Sequence, residues 1–303
     1  MSILSQPYFS DEQAAYDMLE SILWADGVVC PKCGVVGEAY KLMGKRSRIG
    51  LRRCKTCRKD FTVTVGTVFE SSHIKLHLWF QAAYLMMSSK KGVSAHQLHR
   101  TLGITYKSAW FMAHRLREAM RVLVPSKMGG ENKVIEVDET YVGGKSKNRK
   151  HRVPPKEAVV SLVERGGHVR SFHVANVGGK TIGLVIAEHV DRAAYMMTDE
   201  SPVYPRIMKR MAGHGTVNHS AEEYVRGTFW HTNTIENYFS IPKRAVVGVY
   251  HHVSPAHLHR YAAEFDLRYN HRAGLGVNDE VRSMEAMRGI VGKRLLYRDS
   301  SAG

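Results

Sequence analysis

Two sets of residues in this 303-residue chain have the types and spacing for metal chemistry. The first is cysteine: "CPKCG" (Cys30, Cys33) and "CKTC" (Cys54, Cys57) form a C-x2-C-x20-C-x2-C pattern. Each pair lets two thiolates from one tight turn reach the same ion, and two pairs complete a tetrahedron of soft ligands that suits Zn2+. With every position filled by protein, such a site is structural. Gly34 follows the second ligand, where the turn needs a permissive backbone. The second set is acidic. Asp138 lies in the strand-like "IEVDET", Asp199 ends the apolar "MMTDES", and Glu236 stands as the one carboxylate of "HTNTIENYFSIPKR". A carboxylate set in an apolar strand is costly unless something compensates it. A hard divalent cation such as Mg2+ is one compensation, and two such ions together can hold both reacting oxygens of a phosphodiester. The plainer use of any one acid is a cap or an ion pair. Glu136, Glu139 and Glu200 are adjacent rivals, and pattern alone does not choose among Glu136, Asp138 and Glu139.

Charge gives these acids a context. Lys and Arg outnumber Asp and Glu by 44 to 28, for a formal net charge of +16. The first partner this suggests is a polyanion, and nucleic acid is the leading candidate. Basic residues crowd the cysteine module: Lys41, Lys45, Arg46, Arg48, Arg52, Arg53, Lys55, Arg58 and Lys59. Phosphate contact is the expectation there. A second basic run, "GGKSKNRKHRVPPK", includes Lys145, Lys147 and Arg149 and no acid; its Gly and Pro content reads as a loop, a basic arm beside Asp138. No apolar run approaches the roughly 18 residues of a membrane span, and the N-terminus lacks the pattern of a secretory signal. A soluble protein of the reducing cytoplasm is expected, where thiols bind metal more readily than they pair.

The elements that must position these groups follow from periodicity. "SDEQAAYDMLESILWADG" reads as a helix capped by Ser10 with Gln13 as its capping-box partner. "FTVTVGTVFE" reads as strand, and "SSHIKLHLWFQAAYLMMSSKKG" as a helix ending at Gly92. Ser94 then caps a short helix that Gly103 closes, and a second helix runs from about Thr105 to Met120. That outline is a helix-turn-helix whose second helix exposes Lys107, Ser108, His114 or Arg115 to a DNA groove. From Lys133 the pattern turns to strands, the first three an antiparallel meander, then helix, strand and helices: an α/β layered domain. "VSPAHLHRYAAEFDLRYNHR" is a helix opened by Ser254 and Pro255.

Several of these blocks together resemble one family. "VIEVDETYVGGK", "MMTDES", "VNHSAEEYVRG", "HTNTIENYFSIPKR", "GVYHHVSPAHLHRYAAEFDLRYNHR" and "GKRLLY" are similar, in order, to the ISXO-like group of bacterial insertion-sequence transposases, DDE transposases with an N-terminal zinc ribbon. The resemblance implies a ribonuclease-H-like catalytic domain and an Asp, Asp, Glu triad at Asp138, Asp199 and Glu236 that binds two Mg2+ or Mn2+ ions. It implies DNA cleavage and strand transfer, and at least a dimer on DNA. Lys243 fits the family's basic position after the Glu, next to Arg244, and Asn237 fits its amide position. Pro242 is expected to kink or stop the helix between Glu236 and Lys243. The expected organisation is multidomain: an N-terminal helix and zinc ribbon over 1–70, a helix-turn-helix DNA-binding region over 71–130, and an α/β ribonuclease-H-like domain with C-terminal helices over 131–303. A DNA-binding regulator without catalysis, or a metal-dependent nuclease that does not join strands, are the competing readings.

Overall fold

A computed structural model describes residues 2–44, 47–123, 125–143, 156–217, 225–226 and 229–295. By internal contacts the chain forms two units, Val122–Leu275 and a discontinuous one made of Met1–Arg121 and the chain from Gly276.

In the discontinuous unit, α1 (Glu12–Leu23) is capped by Asp11, whose carboxylate accepts the Ala14 N–H at 2.7 Å; the expected cap, Ser10, lies one residue too early. Glu12 then serves a second helix. Its carboxylate accepts the N–H groups of Leu76 and His77 at 2.7 and 3.2 Å, the first turn of α2 (Leu76–Ser88), where Lys75 offers no cap of its own. Between them lies an antiparallel ribbon of β1 (Ala39–Lys41), β2 (Arg52–Cys54) and β3 (Asp60–Phe61). The strand expected to run on from Phe61 stops there: Thr62, Thr64 and Thr67 hydrogen-bond locally, and Gly66 has a φ of 75°. α3 (Ala95–Leu102) is capped by Ser94 and closed by Gly103 in the left-handed region, as the sequence predicts, and α4 (Tyr106–Ala119) follows with Thr105 as its cap.

The Val122–Leu275 unit is built on β4 (Val134–Val142), β5 (Glu157–Glu164), β6 (Val169–Val174), β7 (Tyr195–Thr198) and β8 (Gly213–Thr216). Their order in the sheet is β6-β5-β4-β7-β8. The expected meander is present: β4, β5 and β6 pair antiparallel, while β7 and β8 run parallel to β4. On one face Ile135, Val137, Val160, Leu162 and Met196 share a core with α5 (Gly179–His189) and with Tyr204 of α6 (Tyr204–Met208). On the other, Val163 and Val169 meet Ile235, Tyr238, Phe239 and Phe265 of α7 (Asn233–Ala245) and α8 (Leu258–Asn270). Strand alternation then puts Glu136 and Asp138, between the apolar residues of β4, on the α7 side. A two-stranded ribbon of β9 (Val225–Arg226) and β10 (Trp230–His231) precedes α7. Pro242 does not stop α7, which continues to Ala245 and then widens into a π turn over Val246–Tyr250.

The chain then returns to the discontinuous unit as α9 (Asp279–Arg288), capped by Asn278. α9 packs on α1, α2 and α4. Val68 donates to Ile290 at 3.2 Å, Gly292 to Gly66 at 2.9 Å, and the Lys293 ammonium to the Ala119 carbonyl at 2.6 Å. This corrects the expected boundary, which placed everything after 131 in one domain. Met284, Ala286, Met287 and Ile290 are buried here because α2, apolar around most of its circumference, has a face to give them.

Candidate metal centres

The four cysteines converge. Their Sγ atoms all lie within 4.8 Å of one another, with Cys30 to Cys57 and Cys33 to Cys54 each at 3.7 Å. A disulfide requires about 2.05 Å. Ligands on a zinc tetrahedron, each about 2.3 Å from the ion, stand roughly 3.8 Å apart, so the cage has the dimensions of a structural Zn2+ site. The backbone N–H of Cys57 donates to Cys54 Sγ at 3.5 Å and lowers that thiol's pKa, while burial and hydrogen bonds among the cysteines raise that of Cys33. Trp24, Val28 and Val65 pack against Cys30, Cys54 and Phe61 below the site.

The basic residues around the cage are less available to phosphate than expected. Arg52 pairs with Glu20 at 2.6 Å, Arg53 grips Asp60 through two bonds of 2.6 and 3.0 Å, Lys41 meets Asp17 at 3.0 Å and Lys55 meets Glu38 at 3.7 Å. Among the described residues, four of these cations thus have acidic partners in α1 or the ribbon. Lys45 and Arg46 lie outside the described residues, as do Lys145, Lys147 and Arg149.

In the Val122–Leu275 unit the acids come from three elements. Asp138 is in mid-β4, Asp199 follows the last residue of β7, and Glu236 is in the first turn of α7. β4 and β7 are neighbours, with Glu136 opposite Met197, so alternation sets Asp199 on the same side as Asp138. Burial pushes the Asp138 carboxyl up to about 7, and the nearby charges of Glu139, Asp199 and Glu236 push it further the same way. The Glu139 N–H, donating to Asp138 Oδ1 at 2.7 Å, opposes them. Asp199 accepts the Ser201 N–H at 3.1 Å, and Glu236 accepts the Thr232 hydroxyl at 3.2 Å. Among the described residues only the cysteines bring three or more metal-ligating atoms within 4.8 Å, so the acids stand wider than that.

The two rivals on β4 are otherwise engaged. Glu136 is fully buried and bonded to Arg165, Thr234 and the Ile235 N–H. Glu139 faces the opposite core, where the Tyr204 hydroxyl donates to it at 2.7 Å; burial, then Asp199, raises its carboxyl. Arg165 and Thr234 carried no signal in the sequence, because their roles depend on a partner 29 and 98 residues away.

The residues expected to touch DNA divide. Lys243 is exposed on the same unbroken helix as Glu236, with its ammonium 5.7 Å from the centre of the Phe239 ring. Asn237 is exposed; Arg244 is exposed too, its guanidinium folded back onto Ser240. Lys107 is exposed in the first turn of α4. Arg115 is a correction: it is 6% exposed, donates to the Leu295 carbonyl, and burial beside Arg294 lowers its pKa. His114 is buried as well, against Trp110. From Met112 onward α4 is a core helix, so only its first turns can face a partner.

Residues 128–270 match the ISXO2-like transposase domain and residues 10–60 match the transposase zinc-ribbon domain. Over 278 residues the chain is 28% identical to an uncharacterized protein in transposable element ISH50 of Halobacterium salinarum, covering 86% of this chain and 91% of that one. The chain is thus similar to a transposase zinc ribbon in its N-terminal part and to the ISXO2-like transposase domain over the stretch that carries the β4–β8 sheet. No helix among the described residues is long and apolar enough to cross a membrane.

Proposed function

We propose that this chain is a DDE transposase that binds the ends of its insertion sequence, cuts DNA by metal-assisted phosphodiester hydrolysis, and joins the freed 3′ ends to target DNA. The sheet order, a three-stranded antiparallel meander extended by two parallel strands, supports reading this unit as a ribonuclease-H-like domain. Asp138, Asp199 and Glu236 are the ligands in this reading. The observation that carries it is the Asp138 carboxyl, buried and raised to about 7 within reach of the charges of Asp199 and Glu236. Such a cluster of negative charge on a chain of net charge +16 fits a divalent cation. Two such ions held by these acids could grip both the attacking and the leaving oxygens of a phosphodiester. When bound, Mg2+ or Mn2+ supplies Lewis-acid polarisation of the scissile phosphate and eases deprotonation of water.

The chain's own residues do the rest. In the first reaction a water oxygen bonds to phosphorus while the bond to the strand's 3′ oxygen breaks, leaving a 3′-hydroxyl. In the second, that hydroxyl oxygen attacks a target phosphodiester and one P–O bond replaces another. Neither step needs a protein nucleophile. Lys243, two helical turns beyond Glu236, and Arg244 hold the backbone near the cut, and Asn237 lies beside them. The turns around Gly103, with Lys107 exposed, form the helix-turn-helix that meets duplex DNA. Joining two ends requires at least two copies on DNA.

The test is nicking of a supercoiled plasmid carrying the gene's own flanking DNA, with and without Mg2+. Wild-type protein should nick only with the metal and yield strand-transfer products. Asp199→Ala should lose at least about a hundredfold of the cutting rate while its mobility-shift affinity for the plasmid holds. Undiminished cutting by Asp199→Ala would refute the assignment, and cutting without joined products would leave a nuclease.

A further inference from the structure

Glu136 is 0% exposed and sits two residues before Asp138 on the same face of β4. Its carboxylate accepts Arg165 Nε at 2.6 Å, the Thr234 hydroxyl at 2.9 Å and the Ile235 N–H at 2.9 Å, with His231 Nδ1 at 3.4 Å. The last three residues belong to the start of α7 or the strand before it. α7 has no side-chain capping bond from its N-cap residue, Thr232, whose hydroxyl goes to Glu236. The cap comes instead from another strand: Glu136 satisfies a first-turn N–H that the helix leaves open, and its negative charge stands at the positive end of the helix. Arg165 completes the arrangement. It neutralises the buried carboxylate and donates to the Phe229 and His231 carbonyls at 2.8 and 2.6 Å, tying down the approach to α7.

The geometric consequence reaches the acids. Thr234, Ile235 and Glu236 are consecutive, so the anchor holds on β4 the helical turn that carries Glu236. We propose that Glu136, with Arg165 as its counter-ion and Thr234 as its latch, is a positioning residue that sets the Glu236 carboxylate against Asp138 for cation binding. This rests on the reading of Asp138, Asp199 and Glu236 as metal ligands. A buried ion pair that served only the core would contribute to folding and leave the cation affinity of the folded chain unchanged. A positioning residue moves that affinity.

The experiment is calorimetric titration of the full-length protein with Mn2+, for wild type, Glu136→Gln, Thr234→Val and Glu236→Gln, beside plasmid binding and thermal melting of each. Glu136→Gln keeps the volume and removes the charge. It should bind Mn2+ about 10- to 100-fold more weakly while its plasmid affinity stays within about twofold, and the Mg2+ needed for half-maximal nicking should rise by the same factor. Thr234→Val leaves every carboxylate in place and should weaken Mn2+ binding by about 3- to 10-fold. Wild-type Mn2+ affinity in a folded Glu136→Gln overturns the proposal; should that variant not fold, wild-type affinity in Thr234→Val overturns it. Glu236→Gln separates the two levels. If it retains Mn2+ affinity, the ligand reading itself fails. If it loses affinity while Glu136→Gln and Thr234→Val do not, only the positioning role fails.

Discussion

Asp266, in α8, shows what enclosure does to an acid whose hydrogen-bond donors are neutral and whose cation, Arg170, acts only through its charge. Its carboxylate accepts the Tyr238 hydroxyl at 2.6 Å, the Ser171 hydroxyl at 2.7 Å and the Ser171 N–H at 2.8 Å. Burial nevertheless pushes it up to about 6, with those bonds pulling the other way. The folded chain therefore holds a proton that the unfolded chain releases near pH 4. The contribution to stability is complete below that pH and is lost as the pH rises through about 6, on the order of 3 kcal/mol in all. Asp266→Asn removes the titration. Its urea-unfolding free energy, relative to wild type, should improve by that amount between about pH 4 and pH 7. A difference independent of pH would show that Asp266 is already ionised at the lower value. Glu136 is as enclosed as any acid in the unit, yet it has Arg165 beside it, which is why the two buried carboxylates serve different ends.

Among the elements, the ribbon depends most on something other than its own packing. Its strands are two or three residues long, and its buried centre is Cys30, Cys54 and Phe61. So small a core cannot offset the entropy of ordering the loops between, and the metal makes up the difference. Stripping zinc with a chelator should raise the rate of proteolysis within residues 29–60 at least about tenfold, with little change in cleavage of the β4–β8 sheet. Equal protection of the ribbon after verified metal loss would contradict this. Helix ends were largely legible: Ser94 and Gly103 do what their types predict. Where a reading missed, a competing local choice explains it. Asp11 takes the cap from Ser10, and Glu12 spends its carboxylate on α2, 64 residues away.

At the level of the whole chain, the unit made of Met1–Arg121 is unfinished without the segment after Leu275. α9 supplies Met284, Ala286, Met287 and Ile290 to its core, and Arg282 donates to the Met87 carbonyl at 3.0 Å from a position 8% exposed. A chain ending at Leu275 should leave the α2 face uncovered. It should lose the melting transition of this unit and bind the dye ANS, while far-UV circular dichroism retains the signal of the β4–β8 unit. A truncated protein that keeps both transitions would show α9 to be dispensable.

Sequence by itself determined the chemistry on offer. The cysteine spacing specified a four-thiolate zinc cage, because two tight turns can close on one ion wherever the rest of the chain goes. The ordered blocks from Asp138 through Glu236 carried the resemblance to the ISXO-like transposases, and the alternation around "IEVDET" gave the strand. What only tertiary structure decided was the use of each interchangeable residue. Glu136, Asp138 and Glu139 are acids within four positions of one strand, yet one caps a distant helix, one meets the charges of Asp199 and Glu236, and one accepts a tyrosine from the opposite core. Arg115 is cationic in any reading, but α9 and the chain beyond it bury it. The reason is the same in each case: covalent spacing fixes what a short segment can do, whereas burial and partnership depend on surfaces that meet only when the chain closes over tens of residues or more.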